Sequence, residues 1–273
     1  MIHHYGKIVI YPHSLSGTLS EPVQSETVEA MKKNPRVHIG TSGWHYDHWV
    51  GPFYPDHLAE ADFLSYYQEH FHTVEINNSF YRLPAEKTLK DWRDRVSAGF
   101  IFAVKASRYI THMKKLKDPQ QSIQQFFDRV KLLDDRLGPI LFQLPPGWHF
   151  NAGRLGAFLD ALPREYHYAL EFRDPSWLNQ EAYRLLADHA AAFCIYEFGS
   201  QLSPKEITAG FVYIRLHGPG GPYQGKYDAQ TLAGWAGAIS SWVSQGKEVF
   251  CYFDNDEAGY APENAWRLQE MLS

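Results

Sequence analysis

The chain reads as an α/β protein, a (β/α)8 barrel of the TIM type. Three observations predict it. Eight short apolar runs of strand length recur along the sequence, segments of helical period separate most of them, and the repeating part, residues 37 to 273, is close to the roughly 250 residues of a closed barrel. Crossovers of that length suit parallel neighbours and not hairpins. An open doubly wound sheet is the structural alternative.

The strand candidates, in order, are VHIGT (37–41), TVEIN (73–77), FIFAVKA (100–106), PILFQL (139–144), YALEF (168–172), AFCIY (192–196), VYIRLHG (212–218) and VFCYFDN (249–255). One intervening helix starts at Asp118-Pro119 and carries Ile123, Phe126, Val130 and Leu133 on one side. Another follows Asp228 and repeats Leu232, Trp235, Ile239 and Trp242, a packing stripe. The last has Pro262 and Glu263 in its first turn. The sixth unit is the weak one, because EFGSQLSPKEITAG holds at most a short helix. The first 36 residues are polar, rich in Ser, Thr and Pro, and without a period, which predicts a poorly ordered extension. Met31 stands six residues before the first strand, and a start there is conceivable.

Composition narrows the function. Of the 273 residues 44% are hydrophobic and 21% charged, and the net charge of -5 does not mark the whole surface as a binder of nucleic acid or anionic membrane. Both cysteines, Cys194 and Cys251, sit inside apolar runs and read as buried thiols of a cytoplasmic protein. No run approaches the roughly 18–20 apolar residues of a membrane span.

In a barrel one strand face meets the helices and the other points to the axis. Val74 and Ile76 then pack outward while Glu75 and Asn77 face in. The same alternation turns Lys105, Gln143, Glu171, Arg173, Arg215 and His217 inward, near the carboxyl ends of their strands. That end is where barrel enzymes hold their active sites. Glu75, Lys105 and Glu171 are the candidate catalytic residues. Asn77, Gln143, Arg173, Arg215, His217 and Asn255 are candidate substrate contacts, joined by Trp44, Tyr46, Tyr81 and Trp177 from the aromatic-rich loops above. HGPGGPYQGKY, with Lys226, reads as an anion cradle after the seventh strand.

Plainer readings compete. The charges could form a structural ion network at the barrel mouth, and each aromatic taken singly reads more readily as packing. Ligand-type side chains occur at Glu75, His112, Glu171, His217, Asp254 and Asp256, but no HExxH or paired CxxC spacing accompanies them. No metal site and no cofactor is predicted, a divalent metal being left open. There is no GxSxG elbow for a nucleophilic serine.

GTSGWHYDHW (40–49), VEINNSFYRLP (74–84), FAVKASRYITH (102–112), LGPILFQLPP (137–146), ALEFRDPSW (169–177), YIRLHG (213–218) and YFDNDEAGYAPENA (252–265) together resemble the YecE-like family, defined by domain of unknown function 72. The resemblance runs from about residue 37 to the end. It implies a TIM-type barrel and no particular reaction. Family members often read Phe-Asn-Asn where this chain has Phe253, Asp254 and Asn255, so an acid replaces the first Asn.

The leading expectation is an enzyme acting on a small polar or anionic substrate, phosphorylated ones included. Lys105, Arg173 and Arg215 would bind negative charge while Glu75 or Glu171 serves as acid or base. Lys105 could also form a Schiff base if neighbouring cations lower its pKa. The alternatives are a barrel that binds or processes nucleic acid, with aromatics stacking on bases, and a non-catalytic ligand-binding or scaffold protein.

Overall fold

The computed structural model describes residues 34–199 and 201–273. Met31 and the first 33 residues of the expected extension lie outside the described residues. The strands are β1 (Val37–Thr41), β2 (Thr73–Ile76), β3 (Ile101–Lys105), β4 (Leu137–Leu144), β5 (Tyr168–Phe172), β6 (Ala192–Phe198), β7 (Gln201–Leu202), β8 (Phe211–Leu216) and β9 (Glu248–Phe253). The helices are α1 (Phe63–His70), α2 (Glu86–Arg95), α3 (Pro119–Val130), α4 (Ala152–Asp160), α5 (Gln180–Asp188), α6 (Ala229–Ser244) and α7 (Tyr260–Met271).

Eight strands run parallel in the order β1-β9-β8-β6-β5-β4-β3-β2, each expected strand appearing within two residues of its predicted ends. The barrel nearly closes where β1 meets β2. That seam carries the bridge pair of Ser42 with Glu75, with a backbone bond from Gly43 N to Glu75 O at 2.9 Å. Below it the Tyr67 hydroxyl takes the place of a ladder bond, accepting from Thr41 N and donating to Thr73 O, both at 3.0 Å. Gly40 permits this approach, since a Cβ there would sit 2.2 Å from the Thr73 carbonyl oxygen.

The sixth unit departs from the regular repeat. No helix lies between β6 and β8 among the described residues. Instead β7 folds back antiparallel on β6, and the Ser203 and Thr208 hydroxyls accept from Tyr196 N and Phe193 N at 2.9 and 2.7 Å. Ser203 serves the edge of β6 that β5 leaves open, since β5 and β6 pair only through Ala169 with Ala192 and Leu170 with Phe193, and Thr208 serves the edge of β6 that faces β8.

Alternation separates two cores. Val74, Ile76, Phe102, Val104, Phe142, Leu144, Leu170, Phe172, Ile214 and Leu216 pack into the layer between strands and helices. The axis holds a second cluster in which small Ala103, Ala169 and Ala192 make room for Phe211, Tyr213, Phe250 and Tyr252. The Trp235 and Trp242 stripe of α6 is buried, and its Asp228 cap accepts from Thr231 N at 2.7 Å. No helix among the described residues is long and apolar enough to cross a membrane.

Candidate active site

One step above the aromatic axial layer, the inward positions turn from apolar to charged. Glu75 lies one residue before the end of β2, Lys105 ends β3, Glu171 lies in β5 opposite Gln143 of β4, and Arg215 lies in β8 between Tyr196 and Tyr252 of its neighbours. Glu75, Glu171 and Arg215 are each 0% exposed, depths at which an unpaired charge would be costly.

Arg215 resolves that cost. Its Nη2 donates to Glu75 Oε1 at 2.7 Å, to Asp254 Oδ2 at 3.0 Å and to Ser42 Oγ at 3.2 Å. Its Nε lies 3.1 Å from both Glu75 oxygens, and Nη1 donates to Glu171 Oε2 at 2.9 Å. One planar fork therefore holds three carboxylates. Glu75 is closed further by the Ser42 hydroxyl at 2.5 Å and the Tyr213 hydroxyl at 2.7 Å, and Asn77 donates to Ser42 Oγ at 2.8 Å.

Arg173 takes the other side of Glu171, through Nε to Oε1, and stacks over Phe198 and Tyr196 at 4.3 and 5.0 Å. His217 Nε2 lies 2.8 Å from Arg173 Nη2 and 3.2 Å from Arg215 Nη1. Guanidinium groups only donate, so this imidazole nitrogen accepts and the ring proton sits on Nδ1. That atom is 2.9 Å from Asp254 Oδ2, out of line for a regular hydrogen bond but close enough to attract it.

Glu171 and Asp254 are ionised in this setting. Burial would raise the Glu171 pKa, yet Arg173 and Arg215 outweigh it and hold the group well below its ordinary value. Asp254 is likewise lowered, burial being overcome by Arg215 and His217. A general acid at neutral pH must keep its proton, which Glu171 does not.

Lys105 differs from all of these. Its ammonium has no hydrogen bond or ion pair among the described residues and rests 4.5 Å from the centre of the Phe80 ring. Burial, then the charge of Arg215, pulls its pKa from 10.5 to about 8. Gln143 is half-buried with no side-chain hydrogen bond, and Arg173 Nη1 has none, again among the described residues. Unspent donors thus occupy three adjoining strands, β3, β4 and β5.

Of the residues expected at the site, Glu75, Asn77, Lys105, Gln143, Glu171, Arg173, Arg215 and His217 come together. Tyr46 joins them, its hydroxyl donating to Ser42 O at 2.8 Å and its ring lining a cleft of about 400 Å³ beside Asp254. The structure does not bring Trp44 or Trp177 there. Trp44 packs edge-on against Trp92 and Trp177 against Trp148, both in the outer layer, where the loops turn back over the helix ends. Tyr81 stands on the rim, 74% exposed. Asn255 ties the loop after β8 to α7 instead, donating to Gly225 O and Asn264 Oδ1 at 2.9 Å.

That loop is not the expected anion cradle. Several of its amides are spent within the protein, Tyr223 N on His217 O, Gln224 N on Gly221 O and Gly225 N on Glu257, while Lys226 pairs with Glu263. Gly218, at φ 111° with a Cβ position 2.2 Å from Gln224 O, allows the tight fold. Ser42, Tyr196, Phe198 and Asp254 are site residues not singled out as contacts from sequence. Strand parity carries the signal for Ser42 and Asp254, which extend the inward series of Gly40 and of Phe250 and Tyr252.

The family model described as "Protein of unknown function DUF72" matches residues 38–273. The chain belongs to the DUF72 family. This DUF72 chain is 28% identical to the UPF0759 protein YunF of Bacillus subtilis over 270 residues, covering 86% of itself and 94% of that protein. It is 31% identical to the UPF0759 protein YecE of Escherichia coli over 144 residues, about half of either chain (52% and 50%). Among solved structures, a DUF72 family protein from Thermotoga maritima matches with a TM-score of 0.78 at 28% identity, over 86% of this chain and 98% of that one. A DUF72 protein from Enterococcus faecalis matches at 0.73 and 18% identity, over 86% and 95%, a likeness of fold.

Proposed function

We propose that this DUF72 protein is an enzyme that acts on a small anionic molecule at the carboxyl-end mouth of its barrel. The observation that carries the reading is the set of unspent donors on β3, β4 and β5: Lys105 Nζ, the Gln143 amide and Arg173 Nη1. A buried ammonium without a counter-ion is unfavourable by itself, and an incoming carboxylate or phosphate supplies one. The clamped network of Glu75, Glu171, Asp254, Arg215 and His217 gives the pocket a rigid polar wall. In this reading Glu75 and Glu171 position the arginines, and Lys105 is the group that meets substrate.

The test is a thermal-shift comparison of small carboxylates and phosphate esters with their neutral amide or alcohol analogues. Anions should raise the unfolding midpoint of the native protein, with the rise lost in Lys105→Met. Equal responses to charged and neutral analogues sink the reading.

A second reading rests on the rim. Arg108, Lys115, Lys117 and Tyr109 are exposed on the loop after β3, where Lys114 Nζ lies 5.8 Å from the centre of the Tyr109 ring, and Tyr81 is exposed on the loop after β2, a basic and aromatic set suited to single-stranded nucleic acid. It predicts oligonucleotide binding that weakens steeply with salt, and a flat salt response removes it.

A further inference from the structure

Resting on the small-anion reading, we propose that the substrate is a carbonyl acid, a 2-oxo carboxylate or an aldehyde acid, and that Lys105 attacks its carbonyl carbon to form an imine. Three independent features of the mouth support this.

The first is the isolation of the amine. Three carboxylates share the mouth with Lys105, yet Arg215 and Arg173 occupy their oxygens, so none forms an ion pair with Nζ among the described residues. A group meant only to anchor an anion at this depth is better served by a second guanidinium, which stays charged and binds in a fork. A lysine left against the Phe80 ring is the arrangement that yields a neutral, nucleophilic amine. With its pKa near 8, on the order of a tenth of it is unprotonated at pH 7.

The second is the placement of donors. The Gln143 amide and Arg173 Nη1 rise from the next two strands, on the same inward face, and can take a carboxylate whose adjoining carbonyl then meets Lys105. The third is local strain. The loop after β3 opens with a π-helical turn, Tyr109–Met113, and continues through left-handed backbone at Lys115, Leu116 and Asp118. Such conformations concentrate at working sites. The turn sets His112 edge-on to Phe80 at 4.9 Å, the ring that Lys105 also touches.

The chemistry balances without an external oxidant or reductant. The Nζ lone pair forms the new C–N bond while the carbonyl π pair moves to oxygen. An N–H proton passes to that oxygen, giving a carbinolamine. The proton that the ammonium gave up to solvent on becoming the neutral amine returns to this hydroxyl, which leaves as water and produces the iminium, so ammonium and carbonyl together yield the iminium and one water.

The full-length protein is incubated with pyruvate or glyoxylate and cyanoborohydride, which reduces an iminium to a stable secondary amine, and is then mapped by peptide mass spectrometry. The expected result is one dominant adduct on the Lys105 peptide. It should be suppressed by excess lactate, which keeps the carboxylate without the carbonyl, and absent in Lys105→Arg, which keeps the charge. Circular dichroism and thermal melting establish that the variant is folded. No adduct at Lys105, or label spread evenly over surface lysines, overturns the imine. If lactate still raises the melting midpoint in that case, the anion site stands without it. If neither acid shifts the midpoint or labels Lys105, both fall.

Discussion

The two sides of the barrel mouth solve the same electrostatic problem differently. On the side built by β8, β9, β1 and β2, every buried charge has a partner of opposite sign, and Arg215 ties Glu75, Glu171 and Asp254 into one body. On the side built by β3 and β4, Lys105 is nearly as deep and has no counter-ion among the described residues, while Gln143 has donors to spare. The end of β5 joins the two, since Glu171 is fully engaged and Arg173, just past the strand, keeps one nitrogen free among the described residues. The difference teaches where stability and function part. A saturated network holds geometry, whereas an unsatisfied cation costs stability that only a ligand recovers. The two sides should therefore respond to deletion with opposite signs.

The largest expected effect is on the saturated side. Arg215→Met removes the cation shared by three buried carboxylates, leaving Glu75 with no cation among the described residues, and should cost about 3–5 kcal/mol in urea unfolding. A loss below about 1 kcal/mol would mean the network is not the support claimed for it. The open side should behave oppositely. Lys105→Met removes a buried charge and should stabilise the protein by about 2–3 kcal/mol at neutral pH. The unfolded chain holds the Lys105 proton up to its ordinary 10.5, and the folded chain releases it near 8. Native stability thus gains on the variant as pH rises through that interval, and the variant's advantage fades. Melting curves of both proteins from pH 7 to 10.5 measure it, and a constant difference would contradict the depressed lysine.

Acid probes the shared carboxylate. The Glu171 pKa is depressed on folding, so its contribution is present above the unfolded value of 4.5 and is lost as pH falls through the lower folded one. Glu171→Gln should be less stable at neutral pH and should flatten the decline below pH 4.5. An unchanged acid limb would assign that decline to other groups. The smallest effect on stability is expected at Gln143→Leu, within about 0.5 kcal/mol, because no protein bond is broken among the described residues. The same change should abolish the midpoint rise caused by small carboxylates. Retained binding would move the anion away from β4.

Strand alternation made much of this legible in the sequence. The period of two put Glu75, Lys105, Glu171 and Arg215 on one face, and the structure gathers them. It failed for Trp44 and Trp177, which lie in loops beyond the strand ends. There no period constrains direction, and burial against Trp92 and Trp148 decides. It also misjudged the glycine-rich loop after β8, where composition suggested free amides but the chain satisfies them internally and with Glu257. The missing helix of the sixth unit was visible as weak periodicity. The β7 turn that replaces it was not, since it depends on Ser203 reaching backbone that β5 leaves unpaired and Thr208 reaching the edge of β6 that faces β8.

By itself the sequence favoured the barrel over an open sheet, located its eight parallel strands, and marked which of their side chains face the axis. These follow from short-range periodicity, the property a linear chain records directly. Only the tertiary structure decided which charges cancel and which are left over. Pairing is settled by distances of a few ångströms between strands far apart in the chain, as between Glu75 and Arg215, and Lys105 stands out only once its neighbours have found one another.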